Sequence, residues 1–219
     1  MNKKLKVLEL FAGQRSIGKS FDSRNHEVYS IEWDKKHENI SWYVDIGSIT
    51  AEDIVNRFGI PDVIWASPDC TSYSIAAISH HRTKDEDGNL APKSDYARFC
   101  DNVNKNVIKL IDELIVSNPN LIYFIENPRG GMRKMNFIKD KPRYTVTYCQ
   151  YGDERMKPTD IWTNHPNPNF KPMCKNGGNC HVSAPRGSKT GTQGRKNSVE
   201  RSLIPKQLCD HIVHICEEI

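Results

Sequence analysis

The segment Lys6-Val7-Leu8-Glu9-Leu10-Phe11-Ala12-Gly13-Gln14-Arg15-Ser16-Ile17-Gly18 decides the fold. It begins as an apolar strand, Gly13 stops the strand, and a helix start follows. Strand, tight glycine turn and helix start are the parts of a nucleotide or adenosyl cradle in open α/β folds. The spacing of Gly13 and Gly18 departs from the dinucleotide fingerprint, so the turn alone does not name its ligand. Working outward, Glu27-Val28-Tyr29-Ser30-Ile31 reads as a second strand. Glu32 ends it 19 residues past Gly13, where an acid reaches ribose hydroxyls. Trp33 beside it can cover an adenine face. Asp45-Ile46, after a short apolar run, can accept a hydrogen bond from an adenine amino group. Without such neighbours Glu32 is a surface acid, Trp33 a core aromatic and Asp45 a turn acid.

The alternation continues. Residues 50–58 read as a short helix capped by Thr50, with Asp53 at the third helical position and Gly59 as its stop. Asp62-Val63-Ile64-Trp65-Ala66 is a third strand, stopped by Pro68. Val103, Val107, Leu110, Ile111, Leu114 and Ile115 share one helix face. Leu121-Ile122-Tyr123-Phe124-Ile125 is a continuous apolar run, as in a buried parallel strand. Arg143-Tyr144-Thr145-Val146-Thr147-Tyr148 alternates more and belongs nearer an edge. Leu208, Ile212, Ile215 and Ile219 form the face of a last helix. This pattern predicts an open α/β sheet with helices on both faces. Residues 79–97 read as a long polar loop, the kind that usually carries function in a compact domain.

A chain of 219 residues is one domain, or one with a small appendage. Hydrophobic residues at 37% and charged residues at 26% exclude a disordered chain. No apolar run approaches the roughly 18 residues of a spanning helix. The net charge of +4 is unevenly placed: residues 163–206 hold eight Lys or Arg and a single acid, Glu200. That stretch is a polyanion-facing surface or, more plainly, a solvated basic loop. Seven cysteines without a secretory signal suggest free thiols in a reducing compartment.

Two polar tips sit at carboxyl ends of strands, where open α/β sheets place ligands. One is Ala66-Ser67-Pro68-Asp69-Cys70-Thr71-Ser72-Tyr73-Ser74, with a thiol in a stiffened turn. The other is Ile125-Glu126-Asn127-Pro128. A lone cysteine is more often a small buried hydrophobe, but these motifs in this order resemble the DNA cytosine-5 methyltransferase family. Phe11-Ala12-Gly13 matches its first cofactor motif, Glu32-Trp33-Asp34 its second and Asp45-Ile46 its third. Pro68 to Ser74 resembles the nucleophile motif, and Glu126-Asn127-Pro128 the Glu-Asn-Val motif. The resemblance spans about residues 5–160. Arg15-Ser16 replaces the usual glycine pair, and Asp69 intervenes where a second proline is common. The later Gln-x-Arg-x-Arg motif is reduced: Tyr151-Gly152 anchors it, and Lys157 and Thr159 stand where two arginines are expected. Asn197-Ser198-Val199 echoes the terminal Gly-Asn motif.

The resemblance implies a Rossmann-like, S-adenosylmethionine-dependent methyltransferase sheet with a small irregular recognition segment. It assigns the cofactor to Phe11, Ala12, Gly13, Glu32, Trp33, Asp45, Ile46 and Pro68. It assigns catalysis to Cys70, Glu126 and Lys157, with no metal in the chemistry. Carbon 5 of cytosine is a poor nucleophile. Attack by the Cys70 thiolate at carbon 6 would make the ring an enamine, with the thiol pKa lowered by nearby positive charge. Glu126 would hold the N3 edge as charge builds, and Lys157 would take an electrostatic role. In duplex DNA the base must be flipped out, and the 79–97 loop is expected to close over it.

The implied organisation is a catalytic domain over 1–162, a basic target-recognition segment over 163–198 and a returning helix over 199–219. Arg186, Lys189, Arg195 and Lys196 would meet DNA phosphates and groove edges. The partner is double-stranded DNA, engaged by one copy of the chain, with no membrane. The implied setting is the cytoplasm of a bacterial or phage-infected cell, near the nucleoid. The alternatives are cytosine in RNA or a free nucleotide, or an inactive DNA-binding module on the same fold. Separately, Cys174 and Cys180-His181 could form part of a zinc site completed by His165 or Cys149, or remain unmetallated thiols.

Overall fold

The computed structural model describes residues 3–175, 177–183 and 198–219. Its elements in chain order are β1 (Lys6–Leu10), α1 (Ser16–Asp22), β2 (Glu27–Glu32), β3 (Trp42–Tyr43), α2 (Ala51–Phe58) and β4 (Val63–Ala66). There follow α3 (Ile78–His81), β5 (Arg82–Lys84), β6 (Leu90–Pro92), α4 (Asp95–Ser117) and β7 (Ile122–Pro128). Then come β8 (Arg143–Thr147), β9 (Pro158–Thr163), α5 (Ser198–Ser202) and α6 (Lys206–Glu217). Seven strands form one sheet in the order β3-β2-β1-β4-β7-β9-β8, and β5 pairs with β6 alone. β9 runs antiparallel to both of its neighbours; the other strand pairs of the sheet are parallel.

Strand alternation divides the core between the two faces. Leu8, Leu10, Ile64 and Ile125 point to one face, covered by Ile54 of α2 and by Val107, Leu110, Ile111 and Leu114 of α4. Val7, Val63, Trp65, Phe124 and Ile161 point to the other. There Ile17 and Phe21 of α1 meet Leu208, Ile212 and Ile215 of α6. Glu217 ties α6 to the β1–β2 side through Arg24 at 2.8 Å and His26 at 3.1 Å. The α/β reading with helices on both faces is borne out.

The sheet order reverses between β1 and β4, which makes a crevice outside their carboxyl ends. Leu10 is level with Ile31 and Ala66, and Ala66 with Ile125. The turns after β1, β2, β4 and β7 therefore leave from one edge. Because β9 is antiparallel, its beginning arrives at that same edge.

Three sequence expectations change. α4 begins eight residues before Val103, capped by Ser94, whose hydroxyl accepts from the Ala97 amide at 3.1 Å. Its first turns escape the apolar pattern because Tyr96 and Phe99 stay exposed. The 79–97 loop is instead α3, a β5–β6 hairpin and the start of α4. β9 is a strand that the sequence hides, since Pro158 and Asp160 interrupt its apolar run; Asp160 is buried, paired with Arg133. The capping box at Thr50 and Asp53 forms as expected. Among the described residues no helix is long and apolar enough to cross a membrane.

Candidate active site

The turn after β1 is built by backbone geometry. Phe11 and Arg15 adopt left-handed conformations, as does Gly13. Arg15 takes a conformation that glycine adopts freely and other residues at a cost of about 1 kcal/mol or more. Its side chain is held in return. Nε donates to Ser30 Oγ at 2.8 Å, Nη2 meets Asp22 at 2.8 Å, and Glu9 lies 3.6 Å away. Buried Glu9 accepts from the Gly18 amide at 2.8 Å and from Ser30 Oγ at 2.8 Å. A Cβ at Gly18 would stand 2.4 Å from the Glu9 carboxylate and would displace it from its bonds in the turn. Burial pushes the Glu9 carboxyl above its ordinary pKa.

Glu32 is buried and spends its carboxylate on the turns. Oε2 accepts from the Gly13 amide at 3.0 Å, and Oε1 from the amides of Trp33 and Asp34 at 2.9 and 3.1 Å. Oε1 thus uses both of its lone pairs, and only Oε2 retains one. Asp45 accepts from the Gly47 amide at 2.9 Å. Above these turns lies a cavity of about 370 Å³. It brings together Phe11, Trp33, Asp45, Ile46 and Pro68. Ala12 and Gly13 line a smaller hollow of about 70 Å³ that also includes Phe11. Glu32 lines neither; it holds the Gly13 amide of the turn beneath them.

The far wall of the large cavity was not anticipated from sequence. It consists of Asp69 and of Tyr96, Phe99, Cys100, Val103 and Asn104 from α4. Asn104 donates to the Tyr73 hydroxyl at 3.0 Å and to the Cys100 carbonyl at 2.9 Å, while its buried Oδ1 has no partner among the described residues. Behind this wall Asp101 accepts from Arg82 Nη2 and from the Tyr73 hydroxyl, both at 2.7 Å. Arg82 also donates to the Ser72 carbonyl and hydroxyl at 2.8 and 3.0 Å. The hairpin is thus anchored to α4 and to the turn that follows Cys70. The polar spacing of Arg82, Asp101 and Asn104 carries no sequence signal, because the network spans three elements.

Cys70 leads into the one-turn helix Thr71–Tyr73. Asp69 accepts from the Thr71 amide at 2.7 Å, and Asn127 donates to the Pro68 carbonyl at 3.0 Å, so the β7 tip braces the β4 tip. Glu126 is buried and accepts from the Tyr148 hydroxyl at 2.9 Å. Lys157, at the start of β9, is also buried; its Nζ donates to the Arg201 carbonyl at 3.1 Å and stands 4.6 Å from the Tyr148 ring centre. Burial pushes the Cys70 thiol up to about 11, with Asp69 and Glu126 adding to the rise and Lys157 opposing it. Burial lowers the Lys157 pKa, against the pull of Glu126 and Cys70. Thiol, carboxylate and ammonium therefore feel one another.

The second cation of this corner is Arg155, not a group at Thr159. Thr159 is buried within β9. Arg155 forms a bidentate pair with Asp153, at 2.8 Å through Nε and 2.5 Å through Nη2. It also reaches the carbonyls of Glu200 at 3.3 Å and Arg201 at 3.4 Å. Arg155 and Lys157 stand two residues apart on this side of the corner. Arg186, Lys189, Arg195 and Lys196 lie outside the described residues.

No model of a known protein family matches the chain. It is 24% identical over 240 residues, covering 97% of this chain and all of the relative, to a "Probable DNA (cytosine-5)-methyltransferase" of Frog virus 3 (isolate Goorha). The resemblance to the DNA cytosine-5 methyltransferases holds along nearly the whole chain. A "putative DNA modification methyltransferase" encoded in an E. coli prophage shares the fold. Its TM-score is 0.50 at 16% identity, over 73% of this chain and 46% of that one. The S. pombe Dnmt2 methyltransferase matches with a TM-score of 0.48 at 15% identity, over 74% of this chain and 49% of its own. The chain spans about half the length of these solved structures, and its Rossmann-like sheet is that of the prophage methyltransferase fold.

Proposed function

We propose that the chain methylates carbon 5 of cytosine in DNA, using S-adenosylmethionine and a covalent Cys70 adduct. The observation that carries this reading is the convergence of Cys70, Glu126 and Lys157 at one sheet edge, beside an aromatic cavity. The cavity suits the cofactor: Phe11, Trp33 and Phe99 offer ring faces. Asp45 offers an acceptor for an amino group. Ala12, Gly13, Glu32, Ile46 and Pro68 complete the assignment, Glu32 through the Gly13 turn. S-adenosylmethionine, when bound, supplies an electrophilic methyl group on a sulfonium.

The chain's own groups carry the rest. Cys70 loses its proton, and its sulfur bonds to carbon 6 of the cytosine, which makes carbon 5 nucleophilic. Lys157 stabilises the thiolate that burial and Asp69 oppose. Glu126, oriented by Tyr148, holds N3 as charge builds on the ring. After methylation a base removes the carbon 5 proton, the S–C6 bond breaks, and Cys70 leaves with the electron pair. The cytosine is flipped out of the duplex to reach this corner. Residues 163–198, with Arg186, Lys189, Arg195 and Lys196, serve as the basic recognition segment on DNA phosphates. One copy of the chain acts on double-stranded DNA. The viral relative supports a viral or phage setting.

The test is transfer of labelled methyl from S-adenosylmethionine to duplex DNA, RNA and free nucleotides, with mapping of the modified base. The expected product is 5-methylcytosine in DNA. Cys70→Ser should lower the rate by on the order of 10⁴-fold or more while leaving cofactor affinity intact. Label in RNA or nucleotide alone would overturn the DNA assignment. An active Cys70→Ser protein would overturn the covalent route. No transfer to any acceptor by the unaltered protein would favour the inactive binding module.

A further inference from the structure

A second constellation of reactive side chains lies where the chain leaves the sheet after β9. Cys149, Cys174, Cys180 and His181 bring their ligand atoms within 4.8 Å of one another. We propose that these four residues hold a structural zinc ion. The inference is independent of the methyl-transfer reading.

The sulfur–nitrogen distances match a tetrahedral site, and the Cys174 and Cys180 sulfurs would need to part by about 0.7 Å to take up its edge. Zinc–sulfur bonds of about 2.3 Å and zinc–nitrogen bonds of about 2.0–2.1 Å put ligand sulfurs about 3.8 Å apart and sulfur and nitrogen about 3.6 Å apart. His181 Nδ1 is 3.6 Å from the Cys174 sulfur and 3.7 Å from that of Cys180. The two sulfurs are 3.1 Å apart, farther than a disulfide bond of about 2.05 Å. Three thiolates and one imidazole form a closed donor set for structural zinc. His165 is not the missing ligand, because its Nδ1 accepts from the Asn167 amide and its Nε2 meets the Ile215 carbonyl, both at 3.1 Å.

The backbone between the cysteines is shaped for close approach. Gly177 is left-handed with φ +81°, and a Cβ on Gly178 would stand 2.9 Å from the Cys174 sulfur. The segment has little else to hold it. It has no helix or strand among its described residues, and Met173 and Val182 are exposed. Its ties to the sheet run through the turn after β8. Thr147 Oγ1 accepts from the Cys174 amide at 2.9 Å, the Tyr151 hydroxyl from the Lys171 amide at 2.9 Å, and the Glu154 carbonyl from the Val182 amide at 3.0 Å. A segment with so small a core is the kind that a metal staples. The ion would join this segment to Cys149, the residue next to Tyr148, and Tyr148 bonds Glu126. It would thereby fix the partner of Glu126 and the approach to the basic stretch in a single device.

The test is the metal content of the full chain purified from zinc-supplemented cells without chelator. About one zinc per chain is expected. Titration with a mercurial should release it in step with the reactive thiols. Cobalt in its place should give thiolate charge-transfer absorption and tetrahedral visible bands. Cys180→Ser, at an exposed position, should cut bound metal at least tenfold. Less than a tenth of an equivalent in the unaltered protein overturns the proposal. So does full metal retention in Cys180→Ser, or a Cys174–Cys180 disulfide in protein purified under reducing conditions. If Cys180→Ser does not fold, the mercurial and cobalt titrations on the unaltered protein decide the matter.

Discussion

The aromatic cavity and the corner of Cys70, Glu126 and Lys157 share one sheet edge and are built in opposite ways. Most of the cavity comes from turns that directly follow strands. Phe11 stands after β1, Trp33 after β2, Asp45 after β3 and Pro68 after β4. Its walls are mainly apolar, and the carboxylates of Glu32 and Asp45 hold backbone amides of the turns. In the corner every working group is ionisable and largely buried, and its partners are distant in the chain. Tyr148 reaches Glu126 across 22 residues, and Lys157 reaches the Arg201 carbonyl across 44. An apolar wall can lose one member and keep its shape. A buried charge whose partner is removed is left uncompensated.

The two regions meet at Asp101. It holds Arg82 and Tyr73, and Tyr73 in turn accepts from Asn104 on the cavity wall. Asp101→Ala leaves the Arg82 guanidinium buried without its countercharge. The expected loss is about 3–5 kcal/mol of folding stability, read from denaturant unfolding. Cofactor affinity and Cys70 reactivity should both change, since the network supports both regions. A loss below about 1 kcal/mol with cofactor binding intact would show that the regions do not depend on this joint.

Trp33 tests the cavity alone. It is 67% exposed and contributes a ring face without a role in the core. Trp33→Ala should weaken cofactor binding by about three- to tenfold, the worth of one aromatic stacking contact. Calorimetric titration measures this directly. Folding stability should stay within about 0.5 kcal/mol. The alkylation rate of Cys70 should not move; an equal fall in that rate would break the contrast drawn between the regions.

This contrast also explains what the sequence made legible. The motifs at Phe11-Ala12-Gly13, Glu32-Trp33 and Asp45-Ile46 could be read because each is short, local and at a strand end. Cys70 and Glu126 were legible for the same reason. The Tyr96–Asn104 wall was not, because apart from Val103 its residues lie in the first turns of α4 off the apolar stripe that marks the rest of that helix. β9 escaped because Asp160 breaks the apolar run, and its burial is compensated only by Arg133 in the folded chain. Arg155 escaped because its pairing with Asp153 and with the carbonyls of Glu200 and Arg201 forms only in the folded chain. The Arg82–Asp101–Tyr73 network escaped because no local pattern announces a bond across 19 or 28 residues. The pairing of Cys149 with the later cysteines was one of two open possibilities in the sequence, and folding was needed to choose between them.

The smallest effect bears on the electrostatics of the corner. With its pKa pushed up to about 11, the Cys70 thiol is protonated below that pH and becomes the reactive thiolate as pH rises through it. After burial, the Asp69 charge is the largest cause of the rise. Asp69→Asn removes that charge and keeps an oxygen that can accept from the Thr71 amide, so the turn is retained. The thiol pKa should fall, and the thiolate fraction should increase at every pH below it. Iodoacetamide labelling of Cys70, followed by peptide mass spectrometry, should therefore run a few-fold faster at about pH 8, with its pH profile displaced to lower pH. Lys157→Met removes the opposing charge and should displace the profile upward. If Asp69→Asn left the labelling rate unchanged or slowed it, burial alone would govern the thiol, and the corner would depend on its charges less than the cavity depends on its rings.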